Sequence, residues 1–141
     1  MTGTRGQPEF ALHPIGRVES VLVDRAHAPK QAHEGAPPAW LVFEPGFAEA
    51  LRDVRPGDEI LVLTWLHRAD RTILQVHPRD DPSAPLRGVF STRSQDRPNP
   101  VGIHRTTVVE TDGALRIRVA ALEAFDGTPI IDLKPVIDRE R

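Results

Sequence analysis

Apolar residues along this chain fall in short runs, most of them alternating with polar ones, and a period of two is the mark of half-buried β-strand. HPIGRVESVLV carries Ile15, Val18, Val21 and Val23 in such a pattern and reads as a first strand. WLVFE reads as a short buried strand, and DEILVLTWLHR and TILQVHP as two more. RGVFSTR, VGIHRTTVVE, ALRIRVAALEAF and IIDLKPVI complete the set. Turn signals lie between them: Asp112-Gly113 marks a hairpin, and DGTP, from Asp126 to Pro129, marks a second tight turn. One segment has a helical stripe instead. PGFAEALRDV places Phe47, Ala50, Leu51 and Val54 on one face between Pro45 and the Pro56-Gly57 stop. Six to eight short strands with one or two short helices predict a mainly β fold, a small antiparallel β-barrel formed from a single curved sheet. No internal repeat or interdomain linker interrupts the pattern, so a single domain over residues 1–141 is expected, with its core at about 12–137.

Composition narrows the class. The chain is long enough to bury a real core without staples, and it contains no cysteine, which excludes disulfides, a thiolate nucleophile and Cys-ligated zinc. The longest apolar run, Ile60 to Leu66, is too short to span a membrane as a helix, and MTGTRGQPEF lacks the apolar region of a signal peptide. A cytoplasmic protein with no membrane partner is therefore expected. Net charge is −2, so any nucleic-acid contact has to come from a local basic cluster. Tyrosine is absent and there are only five Phe and two Trp, a thin supply for base stacking. The six histidines show no recognised metal-ligand spacing, and no metal site is expected. The Pro-, Ala- and His-rich stretch DRAHAPKQAHEGAPPA is long for a loop in a compact domain, a length often associated with function.

The densest chemistry lies in FSTRSQDRPNPVG, residues 90–102. Arg97 and Asn99 each precede a proline, which pushes both out of the α region, while Pro98 and Pro100 fix their own φ. The result is a stiff bracket, with Arg93 four residues upstream. Gly102 permits a close backbone approach by a ligand or a neighbouring chain. An arginine fork recognises carboxylate or phosphate at two points, so two forks beside a stiff turn make an anion anchor. The plain alternative is a proline-rich hairpin with solvated arginines. Arg87, Arg93, Arg97 and Arg105 also read together as a phosphate-contacting patch, or as surface ion pairs with Asp80, Asp81 and Asp96.

GVFSTRSQDRPNPVGI closely resembles the GxFATRSPxRPNPIGxS signature of the TsaA-like family, the family of tRNA methyltransferase O. LEAFDGTPIIDLKP, APKQAH and ILVLTWLHRAD resemble further family segments, in the family's order from Ile15 to Pro135. The resemblance implies a methyltransferase that uses S-adenosylmethionine (SAM) on a small β-barrel, pairs as a homodimer, and methylates the exocyclic nitrogen of threonylcarbamoyl-adenosine in tRNA. The absence of a GxGxxG after a strand agrees with a fold other than Rossmann. By position, the implied cofactor contacts are Gln31, His67, Arg68, Arg93, Ile103, Leu122, Glu123 and Asp126. Arg93 would clamp the SAM carboxylate, Glu123 or Asp126 would take a cationic or ribose group, and Trp65 or Phe90 would face the sulfonium. Asp132 and His67 are the candidate bases. Arg97, Asn99 and Lys134 are the candidate substrate contacts.

The chain departs from the family pattern in places. Val136 stands where the family has Tyr, VESVL replaces the family's IRSPF opening, and Gln95-Asp96 replaces a pair that usually begins with Pro. The chain also stops at Arg141, where full-length bacterial members carry a further C-terminal domain. A smaller methyl acceptor, or a SAM-binding module without catalysis, therefore stays open beside the tRNA reading.

Overall fold

A computed structural model of the chain describes residues 8–23 and 35–137. Its strands are β1 (Gly16–Glu19), β2 (Ala39–Phe43), β3 (Glu59–Trp65), β4 (Gln75–Val76), β5 (Arg87–Gly88), β6 (Val101–Asp112), β7 (Arg116–Val119) and β8 (Pro129–Pro135). Six of them run in the order β1-β2-β7-β6-β3-β8, every pair antiparallel. β1 also pairs with β8, at Gly16↔Ile130 and Arg17↔Pro129, so the curved sheet closes on itself. Gly16 sits at this closure. A Cβ there would drive into the Val42 carbonyl oxygen and Phe43 Cα, so only glycine fits at this point.

Alternation sets the interior. Leu41, Val62, Val119 and Ile130 are fully buried, with Val18, Ile60, Val108, Ile117 and Leu122 beside them in one cluster. Each such side chain contributes about 1.5–3 kcal/mol of burial, less the entropy of ordering it. Towards the β3–β6 end the inward positions turn polar: Thr64, His104 and Thr106 are all buried. That change marks where the site lies.

The predicted turns form, with β6 and β7 joined after Asp112 and Gly127 in the left-handed region at φ 85°. The predicted helix over PGFAEALRDV does not: two 3-10 turns, Pro45–Phe47 and Glu49–Leu51, take its place. The stretch between Pro45 and Pro56 is shorter than an isolated helix needs, and Glu44 supplies no side-chain cap. RGVFSTR is strand only at Arg87–Gly88, then a 3-10 turn over Val89–Ser91. ALRIRVAALEAF leaves the sheet after Val119 because its backbone finds other partners. Leu122 N–H donates to the Pro37 carbonyl, Asp126 N–H to Leu22 and Gly127 N–H to Val18. TILQVHP contributes only Gln75–Val76, in the two-stranded β4–β5 pair outside the main sheet. Among the described residues, no helix is long and apolar enough to cross a membrane.

Candidate functional site

Between β3 and β6 the chain makes a long excursion, residues 66–100, that folds back over the polar end of the sheet. A cleft of about 830 Å³ opens between this excursion, the start of β6 and the segment before the second tight turn. Loop 89–99 forms its outer wall, and the geometry explains why so many charges lie there. Arg97 donates from Nη1 to the Thr92 and Ser94 carbonyls at 3.1 and 2.9 Å, and from Nη2 to the Val89 carbonyl at 2.6 Å. Arg71 does the same for the next turn. Its Nε reaches the Pro98 carbonyl at 2.6 Å and its Nη2 the Asn99 Oδ1 at 3.0 Å, with its guanidinium 5.1 Å from the Trp65 ring centroid. Arg97 and Asn99, expected to project toward a ligand, are thus committed to holding the bracket rigid. The Asp70 N–H donates to Asp96 Oδ1 at 2.8 Å, tying residues 67–72 to the same loop. The Thr72 hydroxyl and N–H beside Asp70 hold its carboxyl below the usual value of 3.8.

At the floor of the cleft a buried polar chain crosses from β3 through β6 to the segment after β7. Thr64 Oγ1 lies 2.8 Å from His104 Nε2, and His104 Nδ1 lies 3.0 Å from Glu123 Oε1. With Glu123 ionised, Nδ1–H donates to the carboxylate and the Thr64 hydroxyl donates to Nε2, which satisfies both ring nitrogens of a neutral imidazole. Thr64 is completely buried, so its hydroxyl orients the ring and has no access to a substrate. Glu123 Oε2 is buried with no hydrogen-bond partner among the described residues, an arrangement that costs free energy until a donor meets it. Gly102 makes room for this chain. A Cβ there would stand 2.5 Å from Thr64 Oγ1 and 2.9 Å from His104 Nε2. The close approach expected at Gly102 is therefore made by side chains of the same molecule.

The cleft is cationic on an acidic protein. Arg68, Arg79, Arg87, Arg93 and Arg97 line it, against Asp80, Asp96 and Glu123: five positive charges to three negative, a local balance of +2 where the whole chain carries −2. Arg68 is engaged, donating to the Val23 carbonyl at 3.0 Å and covering the Phe125 ring at 4.7 Å. The side chains of Arg93 and Arg87 are exposed and make no hydrogen bond or ion pair among the described residues. Arg79 and Asp80, on the rim, both hold left-handed backbone at φ 56° and 59°, a strain that residues other than glycine seldom carry outside functional surfaces.

Of the candidate site residues named from the sequence, His67, Arg68, Arg93, Arg97, Ile103 and Glu123 converge on the cleft, Arg97 with its guanidinium turned to the loop's own carbonyls. Gln31 lies outside the described residues. Leu122 is fully buried in the core cluster. Asp126 is exposed one residue beyond the cleft-lining Phe125, and its Oδ1 accepts from Ser20 N–H at 3.0 Å. Asp132 and Lys134 pair with each other at 3.2 Å on β8 and do not line the cleft. Nor do Trp65 and Phe90; Phe125 is the aromatic ring that does. Among the described residues, no cluster of His, Asp and Glu could hold a metal. Sequence reasoning missed the Thr64–His104–Glu123 chain. The signal was there in VGIHRTTVVE, whose alternation puts Gly102, His104 and Thr106 on the buried face, where a histidine needs partners.

Known proteins share both sequence and fold with this chain. A probable S-adenosyl-L-methionine-binding protein of Methanothermobacter thermautotrophicus is 39% identical over 127 residues, 90% of each chain. An S-adenosyl-L-methionine-binding protein of Archaeoglobus fulgidus is 35% identical over 130 residues, covering 90% of this chain and 91% of that one. The crystal structure of TrmO from Pseudomonas aeruginosa superposes with a TM-score of 0.71 at 26% identity, over 92% of this chain. A further TrmO crystal structure gives 0.73 at 28%, again over 92%. The chain spans 57% and 58% of the length of these two TrmO chains. Residues 17–140 match the family model of the tRNA-methyltransferase O N-terminal domain, and the chain belongs to that family.

Proposed function

We propose that the protein is a SAM-dependent methyltransferase whose cleft holds the cofactor, and that its acceptor is the exocyclic nitrogen of threonylcarbamoyl-adenosine in tRNA. The observation that carries the cofactor reading is one cleft with a free Arg93 guanidinium at its rim and, at its floor, a Glu123 carboxylate whose side chain is 20% exposed and whose Oε2 has no hydrogen-bond partner among the described residues. These residues fit a zwitterionic nucleotide. Arg93 suits the carboxylate as a two-point fork, and Glu123, its orientation set by His104, suits the ammonium. Ile103 and Phe125 supply apolar wall, and Arg68 is placed to cap the Phe125 face.

SAM supplies a methyl group already activated by its sulfonium. The protein's part is then to bind, orient and exclude water, and in-line positioning accounts for most of the rate gain. Replacing an acceptor N–H by N–CH3 releases one proton. His67, exposed on the cleft wall, is the residue we assign to take it; Asp132, turned outward toward Lys134, is not placed to do so. Two further features of the reading are a homodimer and a cytoplasmic location.

A second reading, a SAM-binding module without transfer, is favoured by the names of the archaeal relatives. Transfer of labelled methyl from SAM to bulk tRNA, with and without the threonylcarbamoyl group, separates the two. The proposal expects label only on the modified tRNA. Tight SAM binding with no transfer to either would establish the binding module instead.

A further inference from the structure

Phe90 stands out on the surface of this protein. Its ring is 82% exposed, yet the turn that carries it is anchored through Val89. Val89 beside it is 2% exposed, and the Val89 carbonyl accepts from Arg97 Nη2, Thr92 N and Thr92 Oγ1. Val89 N–H in turn donates to the Leu74 carbonyl at 2.9 Å. A bare aromatic ring next to an anchored residue is displayed at a fixed place on the surface without being buried, and fixing the position of a contact group beforehand lowers the cost of binding. Leu74 and Leu86, which flank the β4–β5 pair, are 64% and 54% exposed. Three residues before the ring is Arg87, which lines the cleft and has no partner among the described residues.

We propose that Phe90 and Arg87 form a docking surface for an unpaired nucleotide of an RNA loop, the ring stacking on a base and the guanidinium meeting an adjacent phosphate. The proposal rests on the tRNA reading above and locates where the RNA sits. An RNA loop suits both groups at once: every base offers a π-face, and the backbone supplies the anion that the cationic rim lacks. Ser91, the next residue, already lines the cleft, so a strand stacked on Phe90 has a neighbouring nucleotide at the mouth of the site.

The test is fluorescence anisotropy of the full chain with a labelled RNA stem-loop carrying an unpaired loop, run across a salt series. Phe90→Ala should weaken binding about 5- to 150-fold, the range that one lost base–aromatic stack produces, and Phe90→Trp should restore it. Arg87→Ala should weaken binding and reduce the salt slope by about one. SAM affinity of Phe90→Ala should match the parent. The proposal is overturned if Phe90→Ala binds the stem-loop like the parent, or if it loses SAM. It is equally overturned if its weaker RNA binding tracks a fall in molecular mass by light scattering, which would give this face to a second copy of the chain. Transfer to tRNA that ignores Phe90 would defeat the docking surface and leave the methyltransferase reading standing. A parent protein that binds no RNA would defeat the tRNA reading as well.

Discussion

Gly102→Ala adds one methyl group between β6 and the side chains of Thr64, His104 and Leu66. Gly102 does not need glycine's backbone freedom, so the effect is steric alone. The new Cβ would lie 2.5 Å from Thr64 Oγ1, 2.9 Å from His104 Nε2 and 3.2 Å from Leu66 Cδ1. Heavy atoms do not persist at the first two distances, and both belong to side chains in the buried interior. Thr64 can yield by turning its hydroxyl away, which relieves the first clash and breaks its 2.8 Å contact with His104, and the His104 ring must then shift from the second. Overpacking costs about 1–3 kcal/mol, and an unsatisfied buried polar group costs a similar amount. Because yielding at Thr64 trades one for the other, the two do not add, and about 2 kcal/mol in total is expected. Urea denaturation followed by intrinsic Trp fluorescence should show a lower midpoint at unchanged slope, with a melting temperature lower by about 4–8 °C. Gly46→Ala and Gly88→Ala are the controls, since a Cβ at either meets nothing within 4 Å. A Gly102→Ala variant as stable as these controls would refute the buried polar chain as described.

Arg97→Lys keeps the charge and loses the fork that gathers three carbonyls, so loop 89–99 should loosen at a cost of about 1–3 kcal/mol. Hydrogen exchange read by peptide should rise across that loop and not in β2 or β7; unchanged exchange would contradict the staple. Asp70→Asn addresses pH. The folded carboxyl lies below 3.8, so its stabilising effect is fully present above that value and is lost as pH falls through the lower folded one. Stabilities of the parent and Asp70→Asn should therefore differ at neutral pH and converge in acid below about pH 3.8. A difference that persists or grows there would count against the Thr72 contacts.

Strand positions were legible where one face is buried, as in WLVFE and VGIHRTTVVE, because alternation there is enforced by the core. The mainly β class, the curved antiparallel sheet and the scarcity of helix followed from the same pattern. The misreadings occurred where side chains compete for the backbone. Arg97 takes the Val89 and Thr92 carbonyls of what reads as a strand in RGVFSTR, and no pattern of apolar residues signals that. The helical stripe over PGFAEALRDV is real, but two prolines leave it too short to sustain an α-helix. In the site, it was the family resemblance that pointed to His67, Arg68, Arg93, Ile103 and Glu123, which line one cleft. It did not distinguish arginines with unpaired side chains, such as Arg93, from those, Arg97 and Arg71, that build the wall. His104 was obscured because its role depends on Thr64, forty residues away, and on Glu123 in another segment.

The central claim is that this cleft grips a sulfonium nucleotide between Arg93 and the Glu123 floor. Calorimetric titration of SAM into the intact chain, repeated with Arg93→Ala and Glu123→Gln, tests it most directly. Saturable binding that weakens about tenfold or more in each variant, with Arg93→Ala melting like the parent because its side chain is exposed and unpaired, is the predicted result. SAM affinity indifferent to both substitutions would place the nucleotide elsewhere and contradict the account.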